Sequence, residues 1–101
     1  MSSAGRLRLD LNDPAFQEAL FDLSRDDQAH VMATLRKLAR LSWDEVYRDT
    51  GLRWEAIVSR RGPACGRLYT LRLGRRLRAV AYRDGGWMRM LSLHPDHDSA
   101  Y

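Results

Sequence analysis

After a short alternating stretch at its start, the hydrophobic period of this chain switches from helical to strand-like near residue 52, and that switch limits what it can fold into more than any other feature. Before it, apolar residues recur at helical spacing; after it, they alternate with polar ones in runs broken by glycine-bearing turns. Arg6-Leu7-Arg8-Leu9-Asp10-Leu11 opens the chain with a strict alternation, so residues 6–11 are read as a half-buried strand. Asp13-Pro14 then supplies an N-cap and a proline at the first helical position, and Phe16, Ala19, Leu20 and Leu23 form the apolar stripe of a first helix. Ser24 with Asp27 resembles a capping box for a second, longer helix running to about Leu41, its core stripe being Val31, Leu35 and Leu38 with Met32 and Ala39. Ser42 and Glu45 repeat the capping signature for a short third helix, with Gly51 placed to close it in a left-handed conformation. Four strands follow at 52–58, 68–73, 77–83 and 87–94, or three with an irregular lead-in, joined by short turns that impose an antiparallel meander. The expected fold is α+β in one domain spanning residues 1–101, with the N-terminal strand and helical hairpin packed on one face of the C-terminal meander.

Charge is distributed as unevenly as hydropathy. Residues 1–50 carry seven basic and nine acidic side chains, whereas residues 51–101 carry ten and four, so the net charge of +4 resides in the strand half. All but one of the basic residues are arginine, Lys37 being the exception, and a planar guanidinium suits bidentate contact with phosphate and stacking on bases. A polyanionic partner accounts for that bias; a solvated arginine-rich surface set by coding preference fits the composition equally well. No apolar run approaches the roughly 20 residues needed to cross a bilayer, and residues 1–8 lack the apolar stretch of a signal peptide, so a cytoplasmic protein without membrane contact is expected. The single cysteine, Cys65, lies in the Gly62-Pro63-Ala64-Cys65-Gly66 turn with no second thiol for a disulfide or a zinc site.

If the turn between Leu73 and Leu77 is symmetric about Arg75 and the turn at Asp84-Gly85-Gly86 about Gly85, the faces of the meander can be assigned. Arg72 then lies opposite Arg78, Arg78 opposite Ser92, and His94 one step along the same face, with Thr70, Val80 and Tyr82 completing it. The other face carries Leu71, Leu73, Leu77, Ala79, Ala81, Leu91 and Leu93, which the helices would cover. A one-residue slip in either turn would scatter the polar group. Arginines beside a histidine meet the needs of RNA phosphodiester cleavage without a metal: cations hold the phosphate, and groups titrating near neutral pH move protons while the ribose 2′-hydroxyl attacks. His94-Pro95-Asp96-His97-Asp98 also offers two imidazoles and two carboxylates, but the proline breaks regular spacing and no further ligand group lies elsewhere, so no metal or other cofactor is assigned. His30 is read as a boundary residue of the second helix, and Trp43, Trp54 and Trp87 as packing residues or base-stacking platforms.

With these elements in place the chain resembles the RelE/ParE toxin superfamily of type II toxin–antitoxin systems over most of its length. The resemblance lies in the element order, in the strand pair Leu68-Tyr69-Thr70-Leu71-Arg72-Leu73 and Leu77-Arg78-Ala79-Val80-Ala81-Tyr82, and in the end Leu93-His94-Pro95-Asp96-His97-Asp98-Ser99-Ala100-Tyr101. It implies a RelE-like fold and, through the histidine-bearing end, the mRNA interferase branch similar to RelE, YoeB and HigB. The implied activity is a ribosome-dependent, metal-independent endoribonuclease that inhibits translation. The implied partners are a cognate antitoxin, the ribosome and mRNA, with the toxin monomeric in its complex. Carried over by position, Arg78 resembles the phosphate-binding arginine and Tyr101 the tyrosine that stacks on an mRNA base, with His94 and His97 as proton-transfer candidates. Arg72, Arg75 and Arg76 become RNA-binding candidates. Glu55 could supply the carboxylate of some branches, its strand register being open. Thr70 stands where RelE has a lysine, and the His-Pro-Asp-His run replaces a basic segment. The same fold also serves gyrase inhibitors of the ParE type, and a noncatalytic RNA-binding module is a third reading.

Overall fold

Three helix starts are set by side chains that accept orphan backbone N–H groups. The computed structural model describes residues 5–61 and 66–95. Strand β1 (Arg8–Asp10) leads into α1 (Pro14–Phe21), where the Asp13 carboxylate accepts from the Ala15 N–H at 2.8 Å. Helix α2 (Arg25–Leu38) starts with the Ser24 hydroxyl accepting from the Asp27 N–H, and its first turn carries Asp26 and Asp27 while its last carries Arg36 and Lys37, matching the helix dipole. Helix α3 (Trp43–Arg48) has the full reciprocal capping box of Ser42 and Glu45. Each such cap contributes on the order of 1 kcal/mol.

Gly51 does not close α3. Asp49 does, its carboxylate accepting from the N–H groups of Gly51 and Leu52, while Lys37 of α2 pairs with the same side chain at 2.7 Å. The Arg53 backbone, at φ 53°, completes the turn, so the next strand begins at Glu55 and not at residue 52. The sheet consists of β1, β2 (Glu55–Arg61), β3 (Arg67–Gly74), β4 (Leu77–Asp84) and β5 (Trp87–Pro95) in the order β1-β5-β4-β3-β2. The last four form the expected antiparallel meander, and β1 joins it parallel to β5.

The helices cover one face. Phe16 of α1, Val31, Leu35 and Leu38 of α2, and Trp43 and Val46 of α3 pack on Leu71, Leu73, Leu77, Ala79, Ala81, Met88, Met90 and Leu93. Met32 and Ala39 are exposed, so the core stripe of α2 is narrower than its composition suggests. The aromatic residues gather at one end of this layer. Trp54 stacks on Tyr69 at 4.5 Å, Trp43 meets Trp54 edge-on, and the Trp43 indole N–H donates to the Gly86 carbonyl. Trp87 lies under the guanidinium groups of Arg8 and Arg89.

The β4–β5 register differs from a turn centred on Gly85. Asp84 pairs with Trp87, leaving a two-residue loop in which Gly85 takes φ 61°, a conformation glycine adopts without steric cost. This one-residue slip turns Met88 and Met90, not Leu91, into the core. Between Ala81–Met90 and Val80–Ser92 the register shifts again, with Leu91 as the extra residue of a β-bulge. The two offsets cancel in side-chain direction. Leu93 returns to the core, and Ser92 and His94 return to the face opposite the helices.

Candidate functional site

On that open face two rows of side chains cross the sheet. Glu55, Thr70, Val80 and Ser92 are successive cross-strand partners from β2 to β5, and in the next row Arg72 pairs with Arg78 and Arg78 with His94. Arg78 thus faces His94 and not Ser92, one step beyond the position that a symmetric turn would give. The grouping of Arg72, Arg78, Ser92 and His94 survives because the bulge at Leu91 restores the parity that the turn had changed.

Arg78 is the hub. One terminal nitrogen donates to the Thr70 hydroxyl at 3.1 Å and lies 3.7 Å from a Glu55 carboxylate oxygen, while Arg53 approaches the other Glu55 oxygen at 3.7 Å. The Arg78 Nε is buried and has no hydrogen-bond partner among the described residues. A guanidinium held through one nitrogen and unsatisfied at another has donor capacity left for an anionic ligand. Its side chain retains 20% of its accessibility, enough for contact from the solvent side. Across the strand, Ser92 Oγ and His94 Nε2 share a hydrogen bond of 2.7 Å, which fixes the ring and leaves Nδ1 as its second working nitrogen. His94 and Arg72 are exposed, Thr70 and Ser92 half-buried. The face therefore combines fixed cations, a carboxylate and an imidazole within three strand widths.

Arg75 and Arg76 occupy the β3–β4 turn, at the end of the sheet just beyond the Arg72–Arg78 row, and both are exposed. Arg76 adopts φ 62°. His97 and Tyr101 lie outside the described residues, as do Cys65 and most of the His-Pro-Asp-His-Asp run. A separate ionic group ties the open face at its other edge. Arg89 donates to Asp10 at 2.7 Å and to Asp84 at 3.0 Å, joining β5 to β1 and to β4. The hydrogen bond from Arg89 holds the Asp10 carboxyl below its ordinary value, and the one from Lys37 does the same for Asp49.

Glu55 and Arg53 are the members of the site whose position could not be read from spacing, because the turn that sets their register rests on a left-handed arginine. The Leu91 bulge did leave a signal. In Met88-Arg89-Met90-Leu91-Ser92-Leu93 the apolar alternation changes phase between 90 and 91, which is what an extra residue in one strand produces.

Comparison by sequence matches no protein-family model and no curated protein. Comparison by structure identifies an α+β fold already known: the chain superposes on a chain of the archaeal RelE–RelB complex from Pyrococcus horikoshii OT3 with a TM-score of 0.62 at 17% identity. The match covers 95% of this chain and 99% of that one. The fold is that of RelE, as the element order and strand motifs imply.

Proposed function

We propose that the protein is the toxin of a toxin–antitoxin pair and acts as a ribosome-dependent, metal-independent mRNA endonuclease. The observation that carries this reading is the placement of Arg78 between the Glu55 carboxylate and the His94 imidazole on the sheet face that none of the described helices covers. The RelE fold supports it from a second direction, since the superposed structure is that of an archaeal RelE–RelB complex.

In this reading mRNA in the ribosomal A site lies across the open face with its scissile phosphate at Arg78. The 2′-hydroxyl attacks phosphorus, the bond from O2′ to phosphorus forms and the bond to O5′ breaks, giving a 2′,3′-cyclic phosphate and a 5′-hydroxyl. His94 Nδ1 or Glu55 takes the 2′ proton, and the other group, or His97, returns one to O5′. Arg78 and Arg72 stabilise the charge that gathers on the non-bridging oxygens, a contribution typically worth ~3–4 kcal/mol for one donor in a preorganised site. Thr70 holds the Arg78 guanidinium in plane, in the place where a lysine would add a further charge. Tyr101 stacks on a base of the bound codon. Arg75 and Arg76 extend the cationic surface toward ribosomal RNA. The chain is a monomer in its complex, works in the cytoplasm where ribosomes are, and is neutralised by an antitoxin segment laid over the open face. No described helix is long and apolar enough to cross a membrane.

Purified protein incubated with programmed ribosomes and mRNA tests the reading, cleavage ends being mapped by primer extension for wild type and His94→Ala. Cuts confined to the A-site codon that require the ribosome and weaken in the variant are the expected result. Intact mRNA with the wild type, together with inhibition of gyrase supercoiling, would replace this reading with a ParE-like one.

A further inference from the structure

Two cavities lie on the α2 side of the β3–β4 turn, and they meet. The narrower, about 350 Å³, has one wall from α2, where Ala33, Thr34 and Lys37 lie on one helical stripe, and the other from Arg72 and Arg75. The wider, about 630 Å³, is bounded by Leu23, Asp26 and Asp27 on the helical side and by Arg76, Leu77 and Pro95 on the sheet side. His30 and Arg75 line both, so the two are lobes of one trough.

Charge is not spread evenly along it. Lys37 is committed to Asp49 at 2.7 Å, and Asp26 and Asp27 line the wide lobe only. Arg72, Arg75 and Arg76 form no ion pair with a carboxylate among the described residues; Arg72 lines the narrow lobe, Arg76 the wide one, and Arg75 both. His30 adds a directed polar group. Its Nδ1 lies 2.7 Å from the Asp26 carbonyl, which can only accept, so Nδ1 carries the proton and Nε2 is the nitrogen left for a ligand. Each lobe also touches the open face: Arg72 belongs to the Arg78 row, and Pro95 follows His94.

We propose that this trough is a second subsite for single-stranded RNA, taking the strand as it rounds the end of the sheet beyond the scissile position. The strand leaves the scissile phosphate at Arg72, its next backbone phosphate binds Arg75, and a base occupies the wider lobe beside Leu23, Pro95 and His30. From Arg72 to Arg75 the chain advances three residues, on the order of 10 Å, which spans one to two nucleotides of an extended strand. The subsite rests on the RNA-cleaving reading for its direction, but its occupancy by RNA is tested without cleavage.

Ala33 is exposed on the trough wall, one helical turn before Lys37, and takes no part in the proposed chemistry. Ala33→Glu and Ala33→Lys both keep a good helix former there while changing the local charge in opposite senses. The probe is fluorescein-labelled 2′-O-methyl oligouridylate of three and of eight nucleotides, which cannot be cleaved, followed by anisotropy across a salt series. The wild type should bind the octamer with a steeper salt dependence than the trimer, each further phosphate contact adding about 0.7 to the slope of log K against log salt. Ala33→Glu should weaken octamer binding about tenfold and Ala33→Lys should strengthen it, with trimer binding unchanged in both.

Equal octamer affinities for wild type and both variants, each folded by circular dichroism, would overturn the subsite even if the protein cuts mRNA on ribosomes. So would a trough whose charge dependence appears only with oligoglutamate of matched charge, which would make it a polypeptide site. Conversely, charge-dependent octamer binding by a protein that leaves ribosomal mRNA intact would uphold the subsite and remove the nuclease reading alone.

Discussion

Replacing Arg78 by methionine should cut activity severely while leaving stability nearly unchanged. The guanidinium gives the fold one hydrogen bond to Thr70 and an approach to Glu55 at 3.7 Å. A charged-to-neutral hydrogen bond contributes about 1.5–3 kcal/mol. The Glu55 contact is worth at most about 1 kcal/mol, because that carboxylate retains 55% exposure and is shared with Arg53. Against these stands the buried Nε without a described partner, whose desolvation costs about 1–3 kcal/mol and which methionine removes while filling much of the same volume. The terms nearly cancel, so the net change should lie within ~1–2 kcal/mol of zero. For a domain of this size ~1 kcal/mol moves the midpoint by about 4–8 °C, so the variant should melt within ~15 °C of wild type in a circular dichroism or calorimetric scan. Cleavage of mRNA on ribosomes should meanwhile fall by two to three orders of magnitude, roughly the loss of one preorganised donor. A midpoint lowered by more than ~20 °C with activity lost in proportion to unfolding would refute the reasoning and make Arg78 a structural residue.

Other consequences follow from the same geometry. His94→Ala should lower the cleavage rate by about 10²–10⁴-fold, and Ser92→Ala by less, because Ser92 orients the ring without touching the substrate; single-turnover rates compare them. Met90→Ala should cost about 2–5 kcal/mol in urea unfolding, since Met90 is 1% exposed in the core, whereas the same change at half-buried Leu91 should cost less. The Asp10 and Asp49 carboxyls are both held below the ordinary value of 3.8, so their contribution to stability is complete above about pH 5 and is lost as pH falls through the lowered folded values. Asp10→Asn and Asp49→Asn should therefore be less stable than wild type at pH 7, with the difference shrinking below pH 4 in thermal melts.

Most of the helical layer was legible because caps are local: Asp13, Ser24 and Ser42 mark starts that need no tertiary information. The meander was equally plain, but the β3–β4 turn is not symmetric about Arg75: Gly74 pairs with Leu77, and a register shift between Arg72 and Gly74 restores the expected Arg72–Arg78 pairing. What was not legible depended on backbone conformations that no residue type announces. An arginine at positive φ delays β2 to Glu55 and brings that carboxylate to Arg78; a glycine would have advertised the turn. Asp-Gly-Gly allows two turn centres, and the choice between them exchanges Leu91 for Met88 and Met90 in the core. The grouping of His94 with Arg78 was expected from a register that is one residue off, and it holds because the bulge at Leu91 reverses the parity a second time. The trough beside α2 was invisible for another reason: Ala33, Thr34 and Lys37 face Arg72 and Arg75 only through tertiary packing.

The central claim is that the open sheet face cleaves RNA through the 2′-hydroxyl, and the chemical form of the cut ends tests it most directly. The 5′ fragments released from ribosome-bound mRNA should be isolated and weighed by mass spectrometry. The account predicts fragments ending in a 2′,3′-cyclic phosphate or the 3′-phosphate it hydrolyses to, and none when the cleaved nucleotide is 2′-deoxy. Fragments ending in a 3′-hydroxyl, or cleavage that persists at a deoxynucleotide, would contradict it.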